Sequence, residues 1–106
     1  MANLTPAEKH CLEEIFEMKR GYVLDFSDRS LQAFFKDVIR VDIYEEKYST
    51  QGTSKANRVR TFWQIEEDVK VAKVLNELLK MVELNGIPEG NKKFDLAKKI
   101  VERLGK

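Results

Sequence analysis

Residues 67–84 read EDVKVAKVLNELLKMVEL, and this stretch decides the fold. Its apolar side chains Val71, Val74, Leu75, Leu78, Leu79 and Val82 recur every three or four positions, which gathers them on one face of an α-helix. Glu66, Glu67 and Asp68 put negative charge where a helix start has unpaired N–H groups and the positive end of its dipole. Asn85 and Gly86 offer an end, and Pro88 discourages continuation. A helix of this length with one oily side needs other helices to cover it.

The flanks supply them. Upstream, Thr53 or Ser54 is placed to cap a helix running from Lys55 to about Gln64. No Pro or Gly marks whether this helix bends or breaks from the next near Ile65. Before it, STQGTS at 49–54 is a loop by composition, with Gly52 its most flexible point. Val41, Ile43 and Tyr48 alternate with polar residues, which allows a short strand; a helical turn over Tyr44–Tyr48 is the favoured reading, because no β partner is evident. Leu31, Phe34, Phe35 and Val38 define a second amphipathic helix, capped by Asp25 or Ser27, with Arg29, Gln32, Lys36 and Asp37 toward solvent. Thr5, Pro6 and Glu8 form a capping box with proline at N1, opening a first helix whose stripe is Cys11, Leu12, Ile15 and Phe16. Gly21 is expected to close that helix near Arg20. Downstream, Phe94, Ala97, Ile100, Val101 and Leu104 face inward from a last helix over about 92–104. The expectation is all-α: a compact bundle of five or six helices with mixed crossing angles, in one domain over 1–106.

Composition narrows the function classes. The 42% hydrophobic and 35% charged content suits a folded domain. A formal net charge of +1 gives no global pull toward nucleic acid or membrane, so any polyanion site must be a local patch. Cys11 is the only cysteine, which excludes an internal disulfide. No signal-like N-terminus and no stretch of 18 to 20 apolar residues is visible, so a cytoplasmic, non-membrane setting is expected.

The usual groupings of catalysis are absent. His10 and Cys11 are adjacent on a helix and diverge by about 100°, so they read as a surface histidine and a core cysteine rather than a nucleophile and base. One histidine and one cysteine cannot build a zinc shell, and the acids lack calcium-loop spacing. No metal or cofactor is expected. Glu66, Glu67 and Asp68 read as a helix start, and Glu45 with Glu46 as a solvated pair.

One segment rises above this background: GTSKANRVRTFW, residues 52–63, with three cations and no acid. Gly52, Thr53, Ser54 and Lys55 sit at a helix start whose free amides, with Arg58 and Arg60, could hold a phosphate, nucleotide or carboxylate. It is not a phosphate-binding loop of the GxxxxGK[ST] type. Arg58 and Arg60 diverge by about 200° around a helix, which opposes a single patch. The competing expectation pairs one arginine with Glu66, Glu67 or Asp68 and leaves the other solvated. Tyr48, Phe62 and Trp63 complete the core or stand at an interface.

SLQAFF at 30–35, VDIYEEKY at 41–48, GTSKANRVRTFW at 52–63 and the ED…VAKVLNELL run at 67–79 together resemble the AbiJ-like N-terminal helical domain of bacterial abortive-infection proteins. The resemblance covers roughly residues 27–82, and its GTSK–R–R–F–W element is the most distinctive part. It implies a module that senses or couples beside an effector domain, working through a protein partner or neighbouring domain, and it transfers no catalytic residue. The resulting expectation is a non-catalytic interaction or adaptor module, presenting a surface near the helix that starts at Thr53. A homodimer is compatible with it. The alternatives are an anion, nucleotide or nucleic-acid binder using residues 53–60, and, last, an enzyme fragment.

Overall fold

The computed structural model describes residues 1–87 and 90–106; the expected role of Pro88 lies outside them. Among the described residues there are five α-helices and no strand: α1 (Pro6–Ile15), α2 (Asp28–Ile39), α3 (Lys55–Ile65), α4 (Asp68–Leu84) and α5 (Lys92–Leu104). Two single 3₁₀ turns, Lys19–Gly21 and Glu46–Ser49, lie between them. The chain forms an all-α bundle with varied packing, as its periodicities predict.

Helix α4 is the spine. Val71, Val74, Leu75 and Leu78 on it are fully buried, and α2 and α5 pack along it, while α1 closes over α5. Leu12 and Phe16 of the α1 end, Leu31 and Phe35 of α2, and Phe94, Ala97, Ile100 and Leu104 of α5 meet the same core. Ile15, Phe34, Val38, Val82 and Val101 are only half-buried and line its edge.

Several ends differ from expectation for identifiable reasons. Helix α1 stops at Ile15, six residues before Gly21. Glu17 adopts a left-handed φ of 51° there. The N–H of Met18 then reaches the Glu13 carbonyl and that of Glu17 the Glu14 carbonyl, a Schellman closure built without glycine. Burial of Phe16 and Met18 on either side holds Glu17 in that conformation. Helix α2 starts at Ser27, not Asp25, because Ser30 returns a hydrogen bond to the Ser27 N–H and completes a capping box. Residues 41–49 form turns, not a strand, with Ile43 and Tyr48 pointing into the core.

The open question near Ile65 resolves as a break. Glu66 and Glu67 are extended, with ψ of 159° and 160°, so α3 and α4 are separate helices. The N-terminal segment straps this junction: Ala2 N–H donates to the Trp63 carbonyl, and Asn3 donates to both carboxylate oxygens of Asp68, at 2.7 and 3.0 Å.

Candidate functional site

The cation-bearing helix α3 begins as its sequence suggests. Ser54, rather than Thr53, is the N-cap, and its hydroxyl accepts from the Asn57 N–H at 3.1 Å. Gly52 turns the chain into the cap with a φ of 130°. A β-carbon there would stand 2.6 Å from Asn57 Nδ2. That amide cannot move freely, because Asn57 Oδ1 accepts from Arg60 at 2.9 Å. Gly52→Ala should therefore cost on the order of 1–3 kcal/mol, combining a disfavoured φ with a disturbed Asn57–Arg60 contact. Urea unfolding checks this, and a loss within about 0.3 kcal/mol would contradict it.

The three cations of α3 do not converge. Arg58 turns toward the 41–49 turns. Its Nη1 donates to the Ile43 carbonyl at 3.2 Å and the Glu45 carbonyl at 3.5 Å, its Nε donates to the Thr53 carbonyl, and its guanidinium stacks 4.5 Å from the Tyr44 ring centre. Arg60 turns the other way, toward α1. It donates to Glu13 at 2.9 Å, to Asn57 and to the Met18 carbonyl at 3.3 Å. Lys55 lies over the Tyr22 ring, 3.9 Å from the Asp28 carboxylate, with its side chain only 16% exposed. Asp28 also accepts from the Tyr44 hydroxyl. Each cation thus fixes a different segment against α3: Lys55 the start of α2, Arg58 the turns before α3, Arg60 the end of α1.

This corrects the expected pairing. Glu66, Glu67 and Asp68 hold neither arginine: Glu66 accepts from the Tyr48 hydroxyl at 2.6 Å and faces Lys47 and Lys70, and Asp68 holds Asn3. The partners Glu13, Asp28 and Tyr44 were not visible in the sequence. They lie 47, 27 and 14 positions from the cations they meet, beyond the reach of helical spacing.

Tyr48, Phe62 and Trp63, open between core and interface in the sequence, are inside. Tyr48 and Phe62 have no exposed surface and Trp63 has 2%. Phe62 packs edge-on to Phe35 with ring centres 5.1 Å apart and tilts against Tyr48 at 6.0 Å. Along α3 only Gln64 and Ile65 are exposed, so this helix is the internal hub of the fold and does not offer the outward face assigned to it. His10 is exposed and Cys11 buried, with the thiol against the Lys93 carbonyl. No group of three or more His, Cys, Asp or Glu among the described residues could hold a metal ion.

Four carboxyl groups are held below their ordinary values. Burial alone would raise that of Glu66, but the Tyr48 hydrogen bond with Lys70 and Lys47 outweighs it. Burial is likewise overcome at Glu8 by the Thr5 amide and Arg103. Gln32 and the Tyr44 amide lower Asp42, and the backbone and side chain of Asn3 lower Asp68. Burial, then the carboxylates of Asp28 and Glu66, push the Tyr44 and Tyr48 hydroxyls up. Depressed carboxyls stabilise the fold above their unfolded values and lose that contribution as pH falls through the folded ones. Raised tyrosines resist ionisation only when folded. Stability should therefore hold from about pH 5 to 9, then fall below about pH 4 and above about pH 10. Thermal melts across pH test this; a midpoint still rising below pH 4 would contradict it.

No family model matches the chain, no curated protein matches it, and no solved structure matches it.

Proposed function

We propose that this chain is a non-catalytic interaction module, acting in the cytoplasm through a protein partner or an adjacent effector domain. The observation that carries the reading is the use of Lys55, Arg58 and Arg60 as three divergent internal anchors. Side chains that could have gathered a ligand instead lock three segments onto α3, which suits a rigid platform for docking. Because α3 is internal, the docking surface belongs to the outer faces of the other helices. The bacterial anti-phage setting rests on the AbiJ-like resemblance alone, carried by residues 30–79.

Two measurements test the reading. Titration with adenine nucleotides and single-stranded DNA at low and moderate salt should give no saturable binding; a salt-dependent isotherm would favour the anion-binding alternative. Co-expression with the products of the neighbouring genes, followed by light scattering, should yield a complex of defined stoichiometry. Turnover of any substrate by the purified chain would overturn the reading.

A further inference from the structure

The chain carries five asparagines, and four of them are tied into the fold. Asn3 is held by Asp68, Asn57 accepts from Arg60, and Asn91 caps α5 through the Phe94 N–H. Asn76 lies in the middle of α4, its backbone fixed by the helix, and Glu77 follows it. Asn85 is different. It is exposed at the C-cap of α4, and it alone is followed by a glycine. Gly86 is exposed as well, with a φ of 89°, and a β-carbon built on it would meet nothing within 4 Å. With no side chain at position 86, its amide nitrogen is open to close approach by the side-chain carbonyl of the residue before. One hydrogen bond restrains that nitrogen: the Gly86 N–H donates to the Glu83 carbonyl at 3.1 Å and holds the Asn85 ψ at 0°. The bond belongs to the last, solvent-exposed turn of a helix, where local opening costs close to nothing.

We propose that Asn85 is a site of spontaneous deamidation, with water as the only co-reactant. Base removes the Gly86 amide proton, and the nitrogen attacks Cγ of Asn85, forming a new N–C bond. The Cγ–Nδ2 bond breaks, and the side-chain nitrogen leaves with a proton as ammonia. Water then opens the cyclic imide at either carbonyl, which leaves aspartate or isoaspartate at position 85. One water is consumed and one ammonia released, and nothing is oxidised or reduced. The new carboxylate sits at the negative end of the α4 dipole, two residues from Glu83, where a negative charge is unfavourable. The isoaspartate form also adds a carbon to the main chain at the cap. The site goes beyond the interaction reading, and its failure leaves the complex-formation test untouched.

The test incubates the full chain at neutral and at mildly alkaline pH, in water labelled with heavy oxygen, and maps the products by peptide mass spectrometry. Conversion should be confined to the peptide carrying position 85, with one labelled oxygen per event, and should run faster at the higher pH. The converted protein should separate as a more acidic form on ion exchange and melt at a lower temperature. Asn85→Gln, at an exposed position, keeps the amide but needs a larger ring for the same attack; it should stay unconverted with the fold intact. A parallel incubation in denaturing urea gives the rate without structure. Because the α4 end opens at little cost, the folded chain should convert at position 85 within about tenfold of that rate. Asn57, pinned inside α3, should lag far behind its own denatured rate. No conversion at position 85, a folded rate lower than the denatured one by more than about tenfold, or faster conversion at Asn57 or Asn91 would overturn the proposal.

Discussion

Phe62→Ala is expected to lower folding stability by about 3–5 kcal/mol. The ring has no exposed surface and stands at the meeting point of three segments, against Phe35 from α2 and Tyr48 from the 3₁₀ turn. Removing it forfeits the transfer free energy of a whole aromatic side chain and leaves a cavity that two fixed neighbours cannot fill. Total stability for a domain of this size is of order 5–15 kcal/mol, so the variant should unfold at much lower urea or fail to express. Phe34→Ala provides the internal comparison. Phe34 is half-buried at the edge, in contact with Phe26 and Phe35, and its loss should be clearly smaller. Equal losses at the two positions would mean that the core is not centred where the structure puts it.

What the sequence disclosed divides along a physical line. Apolar periodicity reports a face, and it placed α4 and α5 nearly to the residue because each has a clean stripe and a polar start. Local caps were equally legible: Thr5 with Glu8, and Ser54 as one of two candidates, act within three residues of themselves. Helix ends without glycine were not. Glu17 and Arg40 adopt left-handed conformations at the ends of α1 and α2, Glu17 between the buried Phe16 and Met18 and Arg40 between the half-buried Ile39 and Val41, and local propensity carries no trace of that. Tertiary partners were hidden for the same reason. Glu13 reads as one more acid on an amphipathic helix until the fold brings it to Arg60.

The basic segment shows how a motif can be read for the wrong chemistry. Three cations and no acid between residues 52 and 63 suggest an anion site if each is imagined facing water. A helix separates Arg58 from Arg60 by about 200°, so the segment can reach two opposite neighbours at once. Backbone carbonyls outside the α-helices supply the acceptors: Ile43, Glu45, Thr53 and Met18 all lie in the turns between them. Cations that satisfy such carbonyls require no ligand. The neighbouring Trp63 differs: its buried Nε1–H has no hydrogen-bond partner among the described residues.

Arg60→Ala should destabilise the domain by about 1.5–3 kcal/mol, the second large effect. The ion pair with Glu13 is not the main reason. Both side chains are about one-third exposed, at 28% and 33%, so solvent screening reduces that contact to a fraction of a kcal/mol up to about 1 kcal/mol. The larger part comes from the Met18 carbonyl and Asn57 Oδ1, acceptors that lose a charged donor near the Schellman closure of α1. Glu13→Gln, which keeps an acceptor for Arg60 Nε, should therefore cost less than about 1 kcal/mol. A double-mutant cycle between the two positions should return a coupling well below the Arg60→Ala loss. The alternative, that Arg60 is held for an external anion, makes the reverse prediction: removing it would leave stability unchanged or improved. Chemical unfolding of the two single variants and the double variant decides between them. A near-zero loss at Arg60 would overturn the assignment of α3 as an internally anchored hub.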